Sequence, residues 1–248
     1  MLAEDRLNRI VSMVHAAGSV TVPELADSLG VTASTIRRDL ATLDKAHRIA
    51  KVHGGAMSLE RAHVTRDLTL TERSEMHNDE KERICRAAAE LVEPGSFVYI
   101  DSGSTTLRLV DHLPSVPDVT YVTDAIAQAR RLMVRGFHVI MLGGTLKAET
   151  ESVVGPDACA MLRHYNFTVG FWGANAISLE QGFTAPDIAE AEVKGLSMQR
   201  TVRRYVLADA SKFDMVAPVT FADFADANII TAGIVPESYR ACENITLV

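Results

Sequence analysis

The sequence predicts an α/β protein: a winged helix-turn-helix over residues 1–57, a linker over 58–79, and a larger domain over 80–248 whose mostly parallel sheet is flanked by helices. Three observations predict it. Short capped helices fill the start of the chain and lead into a Gly-Gly turn. From Phe97 onward, β-rich runs alternate with helical stretches, the pattern of a parallel sheet covered by helices. Polar, glycine-bearing loops follow several of those runs, where open parallel sheets bind ligands.

Leu2, Leu7, Ile10, Val11 and Val14 recur at helical spacing until Gly18, which fits an amphipathic first helix. Thr21-Val22-Pro23-Glu24 then has the form of a capping box with proline in the first turn, and Leu25, Ala26 and Leu29 supply the buried face of a second helix ended by Gly30. Thr32 caps a third helix with Ile36, Leu40 and Leu43 on its apolar face. Its first turn exposes Ser34 and Thr35, followed by Arg37 and Arg38, the residue types that meet base edges and backbone phosphates from a recognition helix. A strand over 49–53 turning at Gly54-Gly55 places Lys51 and His53 on a β-wing beside the DNA. A plain three-helix bundle with a solvated Arg-Arg pair is the alternative.

Charge divides the chain in the same place. The whole carries -7, but residues 1–57 hold seven Lys/Arg against six acids, a net of +1, leaving 18 basic and 26 acidic residues, or -8, for the remainder. Only the first segment is a plausible DNA surface. With 47% hydrophobic and 23% charged residues the composition is that of a globular protein. No apolar run approaches the ~20 residues of a membrane span, and the start lacks a signal-peptide pattern, so the expected location is the cytoplasm, with no membrane partner. Cys85, Cys159 and Cys242 are far apart and read as buried free thiols; with the scattered histidines, nothing has metal-ligand spacing.

In the larger domain, a helix from Glu80 carries Ile84, Ala87, Ala88 and Leu91 on one face and ends before Pro94-Gly95. Strands are expected over 97–101, 119–123, 138–142, 168–172, 205–209 and 228–231. After the first comes Asp101-Ser102-Gly103-Ser104-Thr105-Thr106, opening a helix with Leu107, Leu109 and Val110. Here glycine lets the backbone approach, hydroxyls and amides donate, and the helix start favours an anion, so a phosphate fits. A strand-to-helix turn with Ser/Thr capping accounts for the same letters. Later loops add Thr123-Asp124, Gly143-Gly144-Thr145-Leu146-Lys147 and Asp209-Ala210-Ser211-Lys212-Phe213. Lys147 and Lys212 are placed to contact a phosphate or hydroxyls, and Asp101, Asp124 and Asp209 to accept from sugar hydroxyls. Glu190 and Lys194 read most simply as an i,i+4 pair supporting a helix after Pro186.

The strings Val22-Pro23-Glu24-Leu25-Ala26, Thr35-Ile36-Arg37-Arg38-Asp39-Leu40 and Val52-His53-Gly54-Gly55-Ala56 resemble the DeoR family of bacterial sugar-metabolism repressors. The likeness runs on through Asp101 to Thr106, Gly143-Gly144, Val154-Gly155-Pro156 and Asp209 to Phe213. It implies a sensor domain related in fold to ribose-5-phosphate isomerases and coenzyme A transferases. It also implies that Ser102, Gly103, Ser104, Thr105 and Thr106 hold the phosphate of a sugar phosphate, with Gly143, Gly144, Lys147 and Lys212 around the same pocket and Lys194 as a further lining residue. His47 stands where the family has glycine, and Lys51 replaces a commoner arginine. Thr123-Asp124-Ala125 replaces Thr-Asn-Ser, a carboxylate for an amide beside an anion site. That change either turns Asp124 away from the ligand or suits a ligand with an amine or fewer anionic groups.

The expectation is a DNA-binding repressor of a carbohydrate-metabolism operon. It binds double-stranded operator DNA as a homodimer or homotetramer and is released by a phosphorylated sugar or polyol. It needs no cofactor and catalyses nothing. An activator of the same architecture is one alternative. A phosphosugar isomerase using Asp101, Asp209, Glu190 and Lys212 as acid/base groups is the other.

Overall fold

A computed structural model of the protein describes residues 3–17, 19–46, 48–52, 54–58 and 69–248. The chain divides into two compact units, Met1–Thr65 and Arg66–Val248. In the first, helices α1 (Ala3–Ala17), α2 (Val22–Leu29) and α3 (Ala33–Lys45) turn their apolar stripes inward. Ile10, Val14, Leu25, Ile36, Leu40 and Leu43 close a core with Ile49. The Thr21 hydroxyl accepts from the Glu24 amide while the Glu24 carboxylate takes the Thr21 amide at 2.8 Å, completing the capping box. Gly30 ends α2 in the left-handed conformation.

The wing holds one strand more than expected. Strands β1 (Ser19–Thr21), β2 (Ala50–Val52) and β3 (Gly55–Met57) pair antiparallel with β3 in the centre. The third strand explains Gly55, where a Cβ would lie 2.3 Å from the Val20 carbonyl oxygen, while Gly54 makes the turn at φ 81°. His47 and His53 lie outside the described residues.

Within the stretch read as a linker stands a helix, α4 (Leu70–Ser74), its Thr69 cap closed by Glu72 in a second capping box. Five residues are too few for apolar periodicity to register. The next helix, α5 (Asn78–Ala89), starts at Asn78 rather than Glu80.

In chain order the second unit continues with β4 (Phe97–Ile100), α6 (Ser104–His112), β5 (Thr120–Thr123), α7 (Ile126–Val134) and β6 (His138–Met141). A hairpin of β7 (Thr145–Lys147) and β8 (Ser152–Val154) leads into α8 (Pro156–Leu162) and the long β9 (Phe167–Gly173). Then come β10 (Ala176–Ser178), β11 (Gly182–Ala185), α9 (Ile188–Gln199), β12 (Thr201–Leu207), β13 (Val219–Ala222), β14 (Asn228–Thr231) and β15 (Ile245–Leu247). A seven-stranded parallel sheet runs β15-β14-β12-β9-β4-β5-β6, and β10, β11 and β13 form a small antiparallel sheet.

Both faces of the large sheet are covered, as a parallel sheet requires. Ile84, Leu109 and Leu132 of α5, α6 and α7 pack on Val98, Ile100 and Phe171. On the other face Leu162 of α8, Val193 and Met198 of α9, Phe183 and Phe221 pack with Tyr99, Trp172 and Val206. From β4 the chain winds outward to β6, then returns to the other flank of β4 as β9 and winds outward again. The strand order therefore reverses between β4 and β9, and the crevice at their carboxyl ends is where such a sheet binds ligands. Cys85 and Cys159 are buried as expected, whereas Cys242 is half-exposed.

Candidate functional site

On the first unit the site is a helix face. Thr32 accepts from the Thr35 amide at 3.3 Å and its hydroxyl lies 3.0 Å from that of Thr35, so the start of α3 is held by its own cap. With Ile36 and Leu40 facing the core, Ser34, Arg37 and Arg38 are exposed on the opposite side and Thr35 is half-exposed. Asp39 is buried, and its carboxylate takes Nε and Nη2 of Arg6 at 2.6 and 3.1 Å, a two-pronged clamp from α3 to α1. Lys51 is exposed on β2, its amide fixed to Asp44 Oδ1 at 2.8 Å. Of the string Thr35 to Leu40, the apolar and acidic positions hold the fold while both arginines face solvent.

On the second unit the β4/β9 crevice is a cleft. Ser102, Gly103, Ser104, Thr105, Lys194, Asp209 and Lys212 line it, joined by Arg73, His77, Lys81 and Asn175. Gly103 precedes α6 with φ 151° and ψ 161°, a conformation that only glycine adopts readily. No side chain caps α6, so the first-turn amides have no intrahelical acceptor. Gln128 of α7 holds this loop from behind, donating to the carbonyls of Asp101 and Gly103 at 3.2 and 3.1 Å.

Cations dominate the lining. Lys81 Nζ donates to the Ser104 hydroxyl at 3.0 Å and to the Arg73 carbonyl. Burial pushes the Lys81 amine down to about 8, Asp209 opposes that, and the charges of Lys212, Arg108 and Arg73 add to the depression. Lys194 is buried and ion-paired to Asp101, whose Oδ2 also accepts from the Gly173 amide at 3.0 Å. Asp209 accepts from the amide and hydroxyl of Ser211 and so caps the turn Ala210–Lys212. Burial would raise its carboxyl, but Lys212, Ser211 and His77 outweigh that and hold it below the ordinary value. A lining of three lysines, an arginine and a histidine around a helix start with unmatched amides attracts an oxyanion.

The other predicted residues stand behind or beside the cleft rather than in its wall. Thr106 and Thr123 are fully buried and bond to loop backbone, to the Gly103 carbonyl and from the Ala125 amide. A Cβ on Gly144 would sit 2.8 Å from the Val154 carbonyl oxygen, so that glycine serves the β7–β8 packing, and the Gly143 amide points at Met161 Sδ. Lys147 pairs with Glu190 at 3.3 Å, and Glu190 also accepts from the Thr150 hydroxyl. The expected helix-supporting pair is thus corrected: Glu190 and Lys194 are both buried and turn to Lys147 and Asp101 instead, because on a covered helix each charge needs a partner across the packing.

Asp124 is 3% exposed and its Oδ1 has no hydrogen-bond partner. Burial, and then the charge of Asp101, pushes its carboxyl up to about 8. At neutral pH it is mostly protonated, so replacing the amide adds little negative charge. Arg73, His77, Lys81 and Gln128 carry no signal in the sequence as site residues: two stand in the supposed linker and two on helices remote from the loop strings.

A winged helix-turn-helix with an exposed arginine pair and a parallel-sheet unit with an anion-attracting crevice define a ligand-sensing transcription regulator. Residues 6–62 match the DeoR-like helix-turn-helix domain and residues 76–233 the DeoR C terminal sensor domain. The uncharacterized HTH-type transcriptional regulator FruR of Bacillus subtilis (strain 168) is 34% identical over 231 residues, 93% of this chain and 91% of that one. The putative aga operon transcriptional repressor of Escherichia coli O157:H7 is 31% identical over 211 residues, 85% and 78% of the two chains. A solved ribose 5-phosphate isomerase from Plasmodium falciparum is similar at TM-score 0.41 and 14% identity over 54% of this chain and 52% of that one, a level that says nothing about activity. The chain belongs to the DeoR family of transcriptional regulators. Among the described residues, no helix is long and apolar enough to cross a membrane.

Proposed function

We propose that the protein is a cytoplasmic repressor of a carbohydrate-metabolism operon that leaves its operator when a phosphorylated sugar or polyol enters the β4/β9 cleft. The observation that carries the reading is the cation-lined cleft at the start of α6, Lys81 and Lys212 among its walls, in a chain that also bears a helix-turn-helix with an exposed arginine pair. The phosphate lies against Ser104, Thr105, Lys81 and Lys212, and the sugar hydroxyls reach toward Lys194 and Asn175. Two half-sites require at least a homodimer, and release requires that the ligand favour one of two states by about 1–3 kcal/mol. No cofactor takes part. The repressor named for the aga operon among the relatives supports repression over activation.

The enzyme reading finds little support. Asp101 is ion-paired to Lys194 through Oδ2, Glu190 to Lys147 and Thr150, and Asp209 caps a turn, so each carboxylate offered as a base has at least one oxygen committed to holding the fold. The deciding experiment measures binding of the full protein to its own upstream DNA at defined salt, alone and with a panel of phosphorylated sugars and polyols. Sequence-selective binding released by one compound and not by its dephosphorylated form is expected. Absence of selective binding under every condition, or turnover of a phosphosugar lost in Lys212→Ala, overturns the reading.

A further inference from the structure

Arg73 belongs to α4, the first helix among the described residues of the sensor unit. Its Nε and Nη2 are enclosed yet have no hydrogen-bond partner, and its side chain lines the cleft with Lys81, Ser104 and Lys212. An enclosed guanidinium with unmatched donors is costly, and an oxyanion offering two oxygens matches its fork. Lys81 joins the same elements from the other side, bonding the Arg73 carbonyl at the end of α4 and the Ser104 hydroxyl at the start of α6.

We infer that Arg73 is a direct ligand of the phosphate group and that, through it, anion binding fastens α4 to the cleft. The inference rests on the proposed reading of the cleft as a phosphate site and names a regulatory consequence of it. A five-residue helix has almost no stability of its own. Besides its Thr69–Glu72 cap, α4 is held by the buried Leu70, whose amide bonds the Glu149 carbonyl at 3.3 Å, and by Lys81. A phosphate bridging Arg73 and the α6 amides adds a tether that exists only when ligand is present. The ligand thereby fastens the N-terminal end of the described part of the sensor unit, the end nearest in sequence to the first unit.

The test is hydrogen exchange of the full-length protein titrated with inorganic phosphate, ionic strength held constant with chloride, on the wild type, Arg73→Gln and Arg73→Lys. Phosphate is expected to slow exchange in residues 70–76 and 102–106 of the wild type. Arg73→Gln should weaken apparent phosphate affinity at least about tenfold and abolish the slowing in 70–76 while 102–106 still respond at higher phosphate. Arg73→Lys, a point charge without the fork, should recover part of the affinity. Phosphate that protects 102–106 but leaves 70–76 of the wild type unchanged, or that binds wild type and Arg73→Gln alike, overturns this inference alone. A wild type that shows no response in either segment overturns the phosphate reading of the cleft and the role of Arg73 with it. Unfolding of each variant without phosphate identifies a folding defect, and the wild-type exchange map then decides by itself.

Discussion

Replacing Asp124 by Asn should stabilise the sensor unit at neutral pH. In the folded protein the Asp124 carboxyl sits at about 8, against about 4 for an ordinary aspartate. Between those values the folded state keeps a proton that the unfolded state releases, so stability is fully present below about pH 4 and falls by roughly 1.4 kcal/mol per pH unit as pH rises toward 8. At pH 7 that amounts to on the order of 4 kcal/mol. An amide escapes this penalty but leaves polar groups unmatched in the same enclosure, at about 1–3 kcal/mol, a cost the unpartnered Oδ1 already bears in part. The net expectation is that Asp124→Asn is the more stable protein by about 1–3 kcal/mol at pH 7, with the advantage shrinking toward pH 5. Trp172 is the sole tryptophan and is fully buried in the sensor unit, so its fluorescence in a urea titration follows that unit alone. A stability difference that does not change between pH 5 and pH 8 would mean that Asp124 is ionised in the fold, and the argument from burial would fail.

Three further outcomes follow from the two sites. Arg37→Ala and Arg38→Ala should each weaken operator binding about tenfold or more and lower the slope of affinity against salt by about one for each phosphate no longer neutralised, read by gel shift at several salt concentrations. Asp39→Ala strips Arg6 of its clamp, and it should lower the unfolding midpoint of the first unit where Arg37→Ala leaves it unchanged; equal midpoints would make the clamp inert. Since Lys81 holds its proton only up to about 8, phosphate affinity should fall about tenfold from pH 7 to pH 9, and a flat profile over that range would remove Lys81 from the anion site.

Much of the fold was legible because its signals are local. Thr21 and Thr32 cap the helices their spacing announces, and Ile36, Leu40 and Leu43 are buried together because a helix repeats every 3.6 residues whatever surrounds it. Six of the seven parallel strands stand on the expected β-rich runs. The short pieces β1, β7, β8, β10, β11, β13, β15 and α4 escaped, since a segment of three to five residues carries too little periodicity to distinguish it from a loop. Long-range partners were illegible for a different reason. Asp39 meets Arg6 across 33 residues and Lys194 meets Asp101 across 93, and nothing in the neighbouring letters states which carboxylate a buried cation will find.

By itself the sequence determined that the chain opens with a helix-turn-helix whose capped third helix exposes an arginine pair, and that polar loops gather at the strand ends of an α/β sensor. Only the tertiary structure decided which of those loops meet. The reversal of strand order between β4 and β9 brings residues 102–105 to Lys194 and Lys212 and draws in Arg73 and Lys81 from outside every recognisable string. The same packing sends Gly143, Gly144 and Lys147 to a hairpin and seals Asp124 beneath the site. Caps and periodicity arise from neighbours along the chain, whereas the charge state and company of a buried group depend on how far water is excluded and on which distant element excludes it.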